Sequence, residues 1–93
     1  MRWEEKLERA LAHHQDGQLA PAIALYRQVL GEQPEQPDAN HLYGLALDGE
    51  GDTRAGLGLV EKAVALEPGH PVYLSNLGYL LGKLGRSEDA ERA

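Results

Sequence analysis

Two blocks of this chain carry the same apolar pattern at the same helical spacing. Ile23, Tyr26, Val29 and Leu30 form one stripe, and Leu57, Val60, Ala63 and Val64 reproduce it 34 residues later. Arg27 and Gln28 in the first block, and Glu61 and Lys62 in the second, mark the polar side, so each block reads as an amphipathic helix, over about 19–32 and 53–66. Similar patterning predicts four more helices, over about 3–15, 37–49, 71–83 and 87–93. The connections are short, and short connections between neighbouring helices make them antiparallel.

The 34-residue interval governs the rest of the chain as well. Gly17, Gly51 and Gly85 share it, as do Pro34 and Pro68, and Pro37 and Pro71. Ala10, Gly44 and Gly78 form a column of small residues inside the first helix of each unit. Ala22, Gly56 and Ala90 form a second inside the partner helix, and Leu11, Leu45 and Tyr79 form a column of large ones. Gly17, Gly51 and Gly85 lie between helices, where positive φ ends one helix and starts the turn to the next. The small columns let paired helices approach closely, which offsets the helix propensity that glycine loses. Pro34 and Pro68 follow helices they cannot continue, and Pro37 and Pro71 open helices at a place where a missing N–H costs nothing. A Pro-x-x-Pro ligand for a polyproline-binding domain is the other reading of these pairs, and helix punctuation already accounts for them. Asp52 and Ser87 are expected N-caps. Gly49 and Gly82 fit neither column and read as a frayed helix end and an exposed or ligand-facing position.

A 34-residue helix–turn–helix unit with these small residues and a closing proline resembles the tetratricopeptide repeat, whose pattern is W-x₂-L-G-x₂-Y, then A-x₃-F, then P. The third unit supplies Leu74, Leu77, Gly78, Leu81, Gly85 and Ala90. The second supplies Asn40, Tyr43, Gly44, Leu47, Gly51, Gly56, Val60, Ala63 and Pro68. The first supplies Ala10, Gly17, Ala22, Tyr26, Val29 and Pro34. The resemblance implies an all-α fold, a right-handed α-α superhelix of antiparallel helix pairs. It implies one domain over residues 1–93, with repeats at about 3–36, 37–70 and 71–93, the last incomplete.

The first unit departs from the family pattern. Lys6, Arg9 and His13 stand where the family has apolar residues, and the apolar stripe is Trp3, Leu7, Ala10, Leu11 and His14. A polar outer face suits the N-terminal cap of a repeat stack, with Trp3 folded over its end; a one-residue shift of register is the alternative. In the third unit only SEDAERA remains for the second helix, while Tyr73, Leu77, Leu80, Leu81 and Leu84 need cover. The expectation is a piece of a longer protein, or a homodimer through the exposed third repeat.

Charge and composition narrow the chemistry. The net charge of −6 argues against nucleic acid and anionic membranes as partners. With no cysteine, disulfides, thiolate catalysis and cysteine-ligated zinc are excluded. No apolar run approaches the ~20 residues of a membrane span, and the charged start lacks the apolar middle of a signal peptide. A cytoplasmic protein is expected. The acidic stretches EEKLE and SEDAE read as solvated helix faces. No nucleophile–base arrangement stands out around Ser75, Ser87 or Thr53, and there is no phosphate-binding glycine loop. His14 and His41 are the best hint of a metal, but two histidines without a carboxylate make a poor site. Neither an enzyme activity nor a cofactor or metal is expected.

In the resembled family the first helices of successive repeats line a concave groove that holds peptides or partner helices. Carried onto this chain, those places are Leu7, Leu11, His14 and Gln15, then His41, Leu42, Leu45 and Asp48, then Ser75, Asn76, Tyr79 and Lys83. The expected ligand-binding set is Leu7, Leu11, His14, His41, Leu45, Ser75, Asn76, Tyr79 and Lys83. Asn76, in SNLG, resembles the asparagine-bearing repeats of O-linked N-acetylglucosamine transferases and is available to hold a peptide backbone. Packing of Leu11 and Leu45 between repeats is the competing reading. Co-chaperone members grip a C-terminal carboxylate with cationic and amide side chains. The matching places here hold Leu7, Leu11, Leu42, Val72 and Asn76, so such tails are not expected to bind. The leading expectation is a protein-interaction module. The others are a self-stacking scaffold and a docking segment of a larger bacterial enzyme, since ALAHHQDGQLAPAIALYRQVL resembles segments that precede glycosyltransferase, sulfotransferase or hydroxylase domains.

Overall fold

A computed structural model describes the backbone of residues 1–92 and the side chains of residues 1–86. It contains five helices: α1 (Trp3–Gln15), α2 (Leu19–Glu32), α3 (Pro37–Gly49), α4 (Thr53–Leu66) and α5 (Pro71–Arg92). No strand occurs among the described residues. The first four helices begin and end where the sequence pattern puts them.

The turns show why. After α1, the Gly17 N–H donates to the carbonyl of His14 and the Gln18 N–H to that of His13; after α3, Gly51 donates to Asp48 and Asp52 to Leu47. These are paired Schellman closures, which satisfy carbonyls that a helix end leaves open. They require positive φ at the glycine, and Gly17 and Gly51 have φ of 77° and 94°. The next helix starts at once. Asp52 caps α4 by accepting from the Ala55 N–H at 3.3 Å, as its sequence position predicted. Gln36 caps α3 through its side-chain oxygen, 2.6 Å from the Ala39 N–H. One repeat later, His70 stands in the same place, with Nδ1 3.5 Å from the Tyr73 N–H.

Packing runs in sequence order, α1 on α2, α2 on α3, α3 on α4 and α4 on α5, with α1 also reaching α3. The result is elongated, 49 × 29 × 19 Å, as expected of an array in which each pair packs on the next. Ala10, Ala22, Tyr26 and Ala46 form a buried cluster, with Leu7, Leu19, Ile23 and Leu42 packed around it. Tyr26 carries the core across from the first pair to the second and stacks on Tyr43, ring centroids 6.4 Å apart.

The closest helix approach lies between α3 and α4. A Cβ at Gly44 would stand 2.7 Å from the Gly56 carbonyl oxygen and 2.8 Å from Val60 Cγ2. The backbones meet there because neither residue has a side chain. Gly49 corrects its sequence reading. It is the last residue of α3 and not simply a frayed end, because the Leu19 side chain lies over it, 2.9 Å from where a Cβ would sit.

The second correction concerns the last unit. The expected sixth helix does not separate at Gly85; α5 continues from Pro71 to Arg92. A Cβ at Gly85 would meet no other side chain or neighbouring helix within 4 Å, and Gly85 is not among the positive-φ glycines. A seven-residue helix is marginal unless it packs on something, and continuing α5 keeps its backbone bonds without forming a turn. Ser87, the expected cap, lies beyond the described side chains. Tyr73 and Leu80 are buried and Leu77 and Leu84 half-buried. Leu74, Gly78 and Leu81 are exposed on the face that, in α3, α4 covers.

Candidate functional site

The odd-numbered helices form one layer. α1 touches α3, and three side-chain bonds tie α3 to α5. The Tyr73 hydroxyl donates to Asp38. Asn76 Nδ2 donates to His41 Nε2 at 2.8 Å. Lys83 Nζ donates to Asp48 Oδ1 at 2.8 Å. Each joins residues 35 apart, so the three bonds share one register along the two helices.

Between α1 and α3 the layer opens into a pocket of about 340 Å³. Its floor is apolar: Trp3, Leu7 and Leu11 at successive i, i+4 positions of α1, and Leu42 of α3. Its remaining lining is Glu4 and Glu8 from the adjacent row of α1, with Gln36 and Asp38 at the start of α3. One helical spacing thus generates both rows, because residues four apart stand one above the other on a helix. Arg2 pairs with Glu4 Oε2 at 3.1 Å, while Glu4 Oε1 is shielded from solvent with no hydrogen-bond partner. Lys6, two residues along, bonds Glu32 of α2 at 2.7 Å.

The other expected site residues have varied surroundings. His14 turns to its own helix pair, with Nδ1 2.9 Å from the Tyr26 hydroxyl. Burial lowers its pKa, and burial also pushes that of Tyr26 up to about 12. His41 is only 5% exposed, with its ring 4.6 Å from that of Tyr73. Burial lowers its pKa, Asp38 opposes the shift, and His70 adds to it. Asn76 is half-buried with its amide nitrogen on His41. Leu45 is half-buried outside the pocket lining, and Ser75 is exposed. Tyr79 is exposed, with the Lys83 ammonium 5.6 Å from its ring centroid. Burial alone would raise the Asp48 pKa, but hydrogen bonds from Lys83 and from Thr53, at 2.7 Å, hold it below the usual carboxylate value. The bond to Asp48 in turn raises that of Lys83.

The structure therefore brings Leu7 and Leu11 together with Leu42, His41 with Asn76, and Tyr79 with Lys83. It does not bring His14 to His41, and no metal-ligating cluster of three occurs among the described residues. Sequence reasoning missed Glu4, Glu8 and Asp38 as pocket residues. The available signal for the two glutamates was their row beside Trp3, Leu7 and Leu11, which was read as a solvated acidic face.

No helix among the described residues is long and apolar enough to cross a membrane. None of the curated proteins matches the chain. Residues 59–92 match the family model described as Tetratricopeptide repeat, a segment that starts within α4 and runs to the end of α5. With that match, the 34-residue recurrence of turns and caps and the sequential packing of five helices, the chain is a tetratricopeptide-like helical repeat.

Proposed function

We propose that this chain is a protein-interaction module that takes a polypeptide segment, extended or helical, on the layer formed by α1, α3 and α5. The observation that carries this is the open pocket between α1 and α3, where Trp3, Leu7, Leu11 and Leu42 form an apolar seat on the surface. Soluble domains seldom leave such a concavity unless a partner fills it. The reading assigns the seat no catalytic role. Along this layer, Leu7, Leu11 and Leu45 would contact apolar side chains. Ser75, Tyr79 and Lys83 would contact the far end of the segment, while His14, His41 and Asn76 hold the layer in shape.

The test is selection from a randomised peptide library followed by NMR mapping. Shifts should concentrate on α1 and α3, and Leu11→Glu, in the pocket lining but outside the core cluster, should abolish binding with helical circular dichroism unchanged. Shifts confined to α2 and α4 would overturn the reading.

A second reading, self-association, rests on a different face. Leu74, Gly78 and Leu81 lie uncovered on α5, and a second copy of the chain would bury them.

A further inference from the structure

We infer that the segment seated between α1 and α3 is cationic: an apolar side chain flanked, one helical turn to either side, by lysine or arginine. This rests on the groove reading above and adds the chemistry of the partner. Three carboxylates, Glu4, Glu8 and Asp38, surround the apolar floor, and no cationic side chain is among the described lining.

Local helix stability explains only part of that charge. Glu4 and Asp38 sit in the first turns of α1 and α3, where the helix dipole favours anions. Glu8 lies in the middle of α1 and gains nothing from the dipole. It stands four residues from Glu4, a like-charge spacing that weakens a helix. Of the cations on the same stretch, none lines the pocket, and Arg9 is exposed outside it. Lys6 bonds Glu32, and Arg2 takes Glu4 Oε2. Glu4 Oε1 is left shielded and without a donor. An ammonium or guanidinium arriving beside the pocket would offset the charge of Glu4 and Glu8 and relieve the repulsion between them. The apolar side chain it flanks would meanwhile displace water from Trp3, Leu7 and Leu42. A segment carrying carboxylates would meet the same three charges as repulsion.

The experiment uses the whole chain and the fluorescence of Trp3, the only tryptophan. Two synthetic helical peptides carry the same single leucine and differ only in flanking charges, lysines in one and glutamates in the other; a third keeps the lysines and replaces the leucine by alanine. The expected result is that the lysine peptide binds at least about tenfold more tightly than either of the others and weakens with added salt. Glu8→Lys, at an exposed position, leaves Glu4 and Asp38 against one lysine and should shrink the preference for the lysine peptide. Equal binding of those two would overturn the cationic assignment and leave the groove reading standing. Equal binding of the lysine–leucine and lysine–alanine peptides would overturn the apolar seat. No binding by any of the three, with no NMR shifts on α1 or α3 from library-selected peptides, would overturn both.

Discussion

The side-chain amide of Asn76 donates to Nε2 of His41 across 2.8 Å, a bond that exists only while His41 is neutral. It is the middle of the three bonds that join α3 to α5, flanked by Tyr73 on Asp38 and Lys83 on Asp48. Docking of the last helix thus depends on the protonation of a buried ring.

A pH dependence follows. Burial sets the pKa values of His41 and His14 below 6.5, so below that pH the unfolded chain binds protons that the folded chain resists. Their contribution to stability is complete above about pH 6.5 and falls as the pH drops toward their lowered values. Asp38 faces His41 but already accepts from Tyr73, and His70 stacks on that tyrosine at 3.7 Å. Urea unfolding should give a lower midpoint at about pH 5.5 than at about pH 7.5, with a smaller difference in His41→Gln. A midpoint that held or rose on acidification would show that these rings do not matter. Asp48 acts in a separate window, below 3.8, because its pKa is depressed.

Gly44 and Gly78 occupy the same place one repeat apart but have different surroundings. Gly44 is pressed against α4, while a Cβ added at Gly78 would meet nothing within 4 Å. Gly44→Ala should cost about 1–3 kcal/mol by overpacking, whereas Gly78→Ala should add up to about 1 kcal/mol through helix propensity. Chemical denaturation of the two variants decides it, and matched losses would place a helix against Gly78.

Gly51 and Gly85 make a parallel contrast in the backbone. Alanine at Gly51 must adopt φ near 94°, at a cost of about 1–2 kcal/mol. Alanine at Gly85, inside the continuous α5, should stabilise by roughly 1 kcal/mol. If Gly85→Ala instead destabilises as Gly51→Ala does, the third turn closes in solution.

Leu81 tests self-association. It is the counterpart of Leu47, which is half-buried, but is itself exposed. Light scattering over a concentration series should show mass rising toward a dimer, and Leu81→Glu should keep the chain monomeric. A wild-type mass independent of concentration would remove this reading and leave the groove untouched.

Most of the helical framework was legible in the sequence, because it depends on local chemistry. Gly17 and Gly51 announced their turns by being the residues that tolerate positive φ, Pro37 and Pro71 marked helix starts, and Asp52 announced its cap. The same logic failed at Gly85, where a glycine permits a turn but does not impose one. The pocket was less legible. EEKLE reads as a solvated face until α3 is laid beside it, when Glu4 and Glu8 become the border of a concavity. Asn76 and His41 each look available for a ligand until the register between α3 and α5 brings them together.

By itself the sequence determined the period of 34, the boundaries of the first four helices, the small residues at their crossings and the negative charge of the whole. These follow from backbone sterics and side-chain type within a few residues. Tertiary structure alone decided that Leu19 lies over Gly49, that His41 meets Asn76, and that α5 continues past Gly85. Those outcomes depend on which surfaces meet across the array, and the free energy of a contact exists only once both partners are in place.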